Sequence, residues 1–282
     1  MWTIGARIGL SLLFSLFLIA SAKSQDAQIH GLGALAPTRE QIQSFPKAPA
    51  ELRRGGVPRK ADSSTFMPPI GNQGRMGSCV AWSAYGLRSY YLAKINKLDV
   101  SKPENVPSPA YIFNLGSSIS QPGAPCAQRG MLISAALEIL RAGVVSLADM
   151  PYNDQSCGPP PDLEMQTRAK KFRIDGWAFV DPEAFDTIKG AIVDGNPVIF
   201  AIPVSKSFQK HQGNGVYSRE PTEAFEGGHA MVLVGYDDDR QAFRLQNSWG
   251  QNWGDQGRAW ISYDTFKRDA TDAYIVRAGT GN

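Results

Sequence analysis

Apolar positions along the chain change their spacing once. In the first half they recur at helical intervals. Val80, Ala84, Leu87, Tyr91 and Ile95 stand three or four residues apart and predict one long helix. Ser108-Pro109 reads as the start of a second helix, with serine as cap and proline at the first helical position. Residues 131–141 repeat the amphipathic pattern, and Gly143 stands where a terminating glycine belongs. Asp181-Pro182 opens another helix through Ile188 and Ile192, ending at Gly195, while Pro159-Pro160-Pro161 marks an extended loop. From there the pattern turns to strand, at residues 198–204, 230–236, 242–246, 259–262 and 273–278, with a hairpin turn at 237–239. Helices lead and strands follow, which predicts an α+β protein of two lobes and not a βαβ alternation.

The first 56 residues read differently. Arg7 precedes a charge-free run from Ile8 to Ala20, and Ala20-Ser21-Ala22 follows as an A-x-A cleavage pattern. This is the layout of a secretory signal peptide, so residues 1–22 are expected to direct export to a periplasmic or extracellular space. The run falls short of the roughly 20 residues of a membrane span, and no later stretch supplies one. Residues 23–56 are rich in Pro, Ala and Gln, carry a basic pair at Arg53-Arg54, and show little period. They read as a short prosegment or linker, with one short helix around residues 37–45. Residues 57–282 form the expected catalytic unit.

Composition narrows the function classes. The 282 residues are 43% hydrophobic and 20% charged, which excludes a disordered chain. A net charge of +3, with both signs interspersed, lacks the basic stripe of a nucleic-acid binder. No cofactor or metal motif is present. Three cysteines, Cys79, Cys126 and Cys157, are too few for a disulfide scaffold, and an odd number leaves one thiol free if the others pair.

Cys79 stands where the long helix begins. A helix N-terminus offers free N–H groups and partial positive charge, both of which favour a thiolate. A small buried residue at a helix start is the plainer reading of this cysteine alone. A thiolate nucleophile needs a base, and the chain has three histidines. His30 lies in the leader and is expected to be exposed and inert; His211 sits in a polar loop and reads as a solvated surface residue. His229 follows Gly227-Gly228 and opens an apolar strand, a place where a side chain is held rigidly. Asn247 can accept a hydrogen bond from one imidazole nitrogen and leave the other for the thiol, and Trp249 can shield that bond.

In this order the pieces resemble the papain family of cysteine peptidases. The resemblance is carried by GNQGRMGSCVAWS (residues 71–83), GGHAMVLVGYDDD (227–239) and LQNSWGQNWGDQGRAWI (245–261), and covers roughly residues 57–282. It implies a two-lobed fold, with a helical left lobe, an antiparallel β-barrel-like right lobe and the cleft between them. It implies that Cys79 is the nucleophile, His229 its general base and acid, and Asn247 the residue that orients His229. Gln73 would donate to the oxyanion with the Cys79 backbone N–H, and Trp249 would cover the His229–Asn247 contact. The implied enzyme is an endopeptidase that hydrolyses protein or peptide substrates through a thioester, acting as a monomer. A ligase or transamidase would share the acyl-enzyme, and a catalytically silent papain-fold binding protein is the reading from another class.

The sequence also departs from the family. Met76 occupies the place of a usual structural cysteine, Val80 that of a usual aromatic, and of the substrate-binding glycine pair only Gly130 is a candidate. Family cysteines in the regions of Cys126 and Cys157 bond to partners absent here, which implies a Cys126–Cys157 disulfide in an exported chain. The leader is short for the family. It is expected to lie across the cleft and block Cys79 until clipped, with Arg53-Arg54 as the candidate cut.

Overall fold

A computed structural model describes Met1 and residues 30–49 and 56–278. The expected signal peptide and the Arg53-Arg54 pair lie outside the described residues. Among the described residues no helix is long and apolar enough to cross a membrane.

The leader contributes one helix, α1 (Arg39–Ser44), where a short helix is expected. Thr38 and Gln41 close it with a reciprocal capping box. The long helix α2 spans Cys79–Lys94 and is buried from Cys79 to Leu92 at every position but Trp82. This differs from the amphipathic stripe that the spacing predicts. The helix is surrounded, by α3 (Pro109–Ser120), α4 (Ile133–Ala142) and the sheet, so its other faces are covered as well. Ser108 caps α3 as expected, its hydroxyl accepting from the Tyr111 amide at 3.1 Å. A short α5 (Leu163–Arg168), capped by Asp162, follows the proline loop.

The strands are β1 (Lys60–Asp62), β2 (Gly176–Val180), β3 (Val198–Ser205), β4 (Val216–Tyr217), β5 (Phe225–Asp237), β6 (Ala242–Gln246), β7 (Arg258–Ser262) and β8 (Asp272–Arg277). They join in the order β2-β8-β3-β5-β6-β7-β4, with β1 paired to β5; every pairing is antiparallel except β4 with β7. Three more helices accompany the sheet: α6 (Phe185–Val193), α7 (Lys206–Gln209) and α8 (Tyr263–Asp269). Helix α6 begins later than Asp181-Pro182. Asp181 instead makes a turn, its carbonyl and carboxylate accepting from the amides of Ala184 and Glu183.

Alternation along β3 and β5 divides the molecule into two cores. Ile199, Ala201, Ala230, Val232 and Val234 pack toward α2 and the helical lobe. Val198, Phe200, Ile202, Met231 and Leu233 point the other way, into a core closed by Phe243, Trp249, Trp253 and Phe266. Both faces are covered, so these strands are apolar throughout.

Two bonds staple distant segments. Cys126 and Cys157 form a disulfide, and the Met76 sulfur lies 3.9 Å from that of Cys126, filling space beside it. Arg219 is buried against Asp269, with forked contacts of 2.8 and 3.0 Å, and also donates to the carbonyls of Glu220, Pro221 and Glu223.

Candidate active site

The cleft lies where α2 meets β5. Cys79 is the first residue of α2 and the only free cysteine among the described residues; it is 0% exposed. The backbone N–H groups of Ala230, Gly33, Val80 and Cys79 itself face its sulfur and favour the thiolate, but burial outweighs them and pushes the thiol pKa up.

His229 sits on β5, immediately before Ala230, and is also 0% exposed. Its Nε2 lies 2.7 Å from Asn247 Oδ1. That oxygen also accepts from the Ser248 amide at 2.7 Å, which fixes the orientation of the Asn247 side chain. Since Oδ1 only accepts, Nε2 carries the proton and Nδ1 keeps a lone pair. Nδ1 makes no hydrogen bond, which leaves it as the basic nitrogen on the side away from Asn247. Trp249 stacks on the His229 ring with centroids 4.3 Å apart. Burial drives the imidazole pKa down to about 3; the Asn247 bond works against this, and His30 adds to it. Covered in this way, thiol and imidazole are both neutral.

Gln73 is fully buried and cross-linked to the opposite lobe. Its amide donates to the Ser248 carbonyl at 2.9 Å, and its Oε1 accepts from Ser248 Oγ at 2.8 Å. These contacts turn Nε2 to donate to the carbonyls of Met76 and Gly31, each at 2.9 Å. A leader carbonyl thus takes the donor that the sequence reserves for an oxyanion.

The leader fills the cleft along its length. The amides of Gly33 and Ala34 both donate to the Gly228 carbonyl at 3.0 Å. The Met131 amide donates to the Gly33 carbonyl at 2.9 Å, and the Leu35 amide to the Met131 carbonyl at 3.1 Å, a parallel bridge. Gly33 and Gly228 are glycines because backbone passes against backbone: a Cβ on Gly33 would meet the Gly77 carbonyl at 2.0 Å, and one on Gly228 the Ala34 carbonyl at 2.1 Å. Further on, Phe179 exchanges backbone hydrogen bonds with Pro46 and Ala48.

Cys79, His229, Asn247, Gln73 and Trp249 therefore converge on one cleft. Two sequence expectations change. His30 is not exposed: it is 8% accessible and lies flat on Trp249, centroids 4.5 Å apart and 7° from parallel. His211 is half-buried, with its ring against Tyr217 and Trp253. The leader pairs with the backbone of Met131, and Gly130 beside it lies close against the leader, where a Cβ would meet the Gly33 carbonyl at 2.4 Å, while its amide donates to Gln121 Oε1 at 2.7 Å. Met131 has no side-chain signature, because its amide and carbonyl do the binding.

A thiol at a helix start, an imidazole held by an amide oxygen and a buried side-chain amide thus gather where α2 meets β5. The chain belongs to the papain family of cysteine proteases, whose family description matches residues 57–274. It is 26% identical over 216 residues to cathepsin K of Mus musculus, covering 74% of this chain and 60% of that one. It is 29% identical over 212 residues to a cathepsin L-like protein of Caenorhabditis elegans, covering 71% and 58%. The chain thus spans about three-fifths of the length of these relatives. Among solved structures it superposes on xylellain, a cysteine protease from Xylella fastidiosa, with a TM-score of 0.76 at 24% identity over 89% of this chain and 97% of that one. Digestive procathepsin L 3 of Tenebrio molitor larval midgut gives 0.65 at 18% identity, covering 89% and 76%. These two likenesses concern the fold, which is the papain-like α+β fold.

Proposed function

We propose that the chain is an exported cysteine endopeptidase held inactive by its own leader. The carrying observation is the hydrogen bond from His229 Nε2 to Asn247, which leaves the lone pair of Nδ1 free to act as base. Once the cleft opens, His229 Nδ1 takes the Cys79 proton, and the sulfur attacks a substrate carbonyl carbon. The developing oxyanion receives Gln73 Nε2–H and the Cys79 backbone N–H. Collapse of the adduct breaks the C–N bond, His229 returns the proton to the leaving amine, and a thioester remains. Water, deprotonated by His229, then releases the acid and restores the thiol. Asn247 keeps the ring in the productive tautomer, and Trp249 excludes water from that bond.

Inhibition by the leader is supported by Gly31 on Gln73, by Gly33 over Cys79 and by the complete burial of both reacting side chains. Residues 1–22 serve as export signal, 23–56 as prosegment and 57–282 as enzyme. The test is covalent: an epoxysuccinyl inhibitor is expected to label Cys79 in the leader-free protein and not in Cys79→Ala. Absence of labelling at Cys79 in the leader-free protein would refute the peptidase reading.

A further inference from the structure

The two donors offered to the oxyanion, the Gln73 side-chain amide and the Cys79 backbone N–H, stand at either end of one irregular turn. Residues 73–78 belong to no helix or strand. Gly74 takes a φ of +59° within the turn and Gly77 follows close behind, so this backbone has little stiffness of its own. Yet donors stabilise a transition state only if they are aimed before it forms, and a displacement of about 1 Å can cost on the order of a hundredfold in rate. A group outside the turn must hold its two ends.

Tyr152 does this with one oxygen. Its hydroxyl lies 2.8 Å from the Gln73 carbonyl and 2.6 Å from Ser78 Oγ. A carbonyl only accepts, so the phenol proton goes to Gln73, and Ser78 donates to the phenol oxygen. Ser78 is the N-cap residue of α2, the position from which a serine oxygen ordinarily accepts from an amide of the first helical turn. It makes no such bond here, and its hydroxyl is turned to Tyr152 instead. The helix forgoes its cap for a contact that serves the turn.

Gln73 is thus gripped on both sides of its main chain. Its amide is held by Ser248 from the opposite lobe, and its carbonyl by Tyr152 from the helical lobe. The Tyr152 ring is itself fixed, edge-on to Trp82 of α2 with centroids 5.0 Å apart. It precedes Cys157 on a segment that the bond to Cys126 ties down. Burial raises the phenol pKa, so the hydroxyl keeps its proton at neutral pH and remains a donor.

We propose that Tyr152 is a positioning residue for the oxyanion site, its hydroxyl locking the two ends of the 73–78 turn so that both donors point at one spot. The inference rests on the peptidase reading above and adds to that machinery a residue that touches neither substrate nor the reacting atoms.

The full chain, brought to its active form and titrated at Cys79 with the epoxysuccinyl inhibitor, is compared with Tyr152→Phe on a fluorogenic peptide. Phenylalanine keeps the ring against Trp82 and removes only the hydroxyl. kcat is expected to fall about tenfold or more while KM stays within about twofold. Alkylation of Cys79 by iodoacetamide is a displacement at a saturated carbon and builds no oxyanion. Its rate should stay within about twofold of the parent across its pH profile. In a Gln73→Ala background, Tyr152→Phe should cost less than about threefold, because one of the donors that it aims is already gone.

Ser78→Ala leaves Tyr152 on Gln73 and frees the other end of the turn. It should lower kcat by at least about threefold with alkylation unchanged, and it decides the matter if Tyr152→Phe fails to fold. A kcat for Tyr152→Phe within about twofold of the parent overturns the proposal, and so does an undiminished loss in the Gln73→Ala background. Cleavage and alkylation that fall together also overturn it, since they mark a packing role. Peptides cleaved equally by parent and variants sink this inference alone. No cleavage by the parent, together with no labelling of Cys79, removes the peptidase reading and this one with it.

Discussion

His30 of the leader and Trp249 of the site lie ring on ring, 4.5 Å apart and 7° from parallel. Trp249 also stacks on His229. One indole therefore serves two imidazoles, one from the blocking segment and one from the machinery that it blocks. Burial lowers the pKa of both, and His30 lowers that of His229 further.

The first prediction concerns pH. A histidine held neutral in the closed form and released to water in the open form binds more protons when open. Through the two histidines alone, closure is therefore fully favoured above pH 6.5 and weakens below it. It loses stability through His229 as pH falls below 6.5, because burial holds the folded imidazole pKa well below its ordinary value. His30 acts in the same direction. The rate at which an epoxysuccinyl reagent labels Cys79 in the full chain, divided by the rate for leader-free protein, should rise on acidification. A ratio flat from pH 7 to pH 4 would show that neither histidine is linked to opening.

Gly33→Val should unseat the leader. A side chain there strikes the Gly77 carbonyl, which is backbone and cannot yield cheaply. Full-chain Gly33→Val is expected to label at Cys79 about tenfold or more faster than the parent, a loss of at least 1.4 kcal/mol of closure. Leader-free protein is the reference, and the variant should approach but not exceed it.

Gln73→Ala should separate two roles of one side chain. In leader-free enzyme, removing an oxyanion donor lowers kcat by about 10²–10³ and leaves KM little changed. In the full chain the same change removes the bond to the Gly31 carbonyl and should loosen the leader, seen as easier proteolysis within residues 30–49. A kcat within threefold of the parent would remove Gln73 from the oxyanion site.

Asp269→Asn tests the buried ion pair. Arg219 would keep its charge and lose its carboxylate, and breaking such a pair costs about 3–5 kcal/mol. Asp269 is held below the usual carboxylate range: burial pushes it up, but the bonds from Arg219 and Arg268 prevail. Its contribution is present at neutral pH and fades as pH falls through that lowered value. Thermal and urea unfolding at pH 7 should show the loss, and the gap to the parent should narrow in strong acid.

Where an element has its own period or cap, the reading from sequence and the structure agree. Ser108 caps α3, and the apolar runs of β3 and β5 are strands. Short elements such as β1, β4 and α7 carry no period and exist because neighbours hold them. Residues whose role depends on another segment are the hardest to read. His30 matters only because the chain folds back onto Trp249, and Met131 acts through backbone. Helix α2 is read correctly as a helix, but its all-round burial depends on what surrounds it.

The leader that lies over Gly228 and Met131 is also part of the same chain, joined to β1 through residues 50–55. A tethered inhibitor acts at an effective concentration set by its linker, in the millimolar range for short ones, whatever the protein concentration. Its hold therefore needs only modest intrinsic affinity, which a few backbone hydrogen bonds and one stacked ring can provide. A single cut in the tether turns the same contacts into an ordinary bimolecular equilibrium. In dilute surroundings that equilibrium favours release, so one broken bond, with no change at the cleft itself, is enough to make activation irreversible.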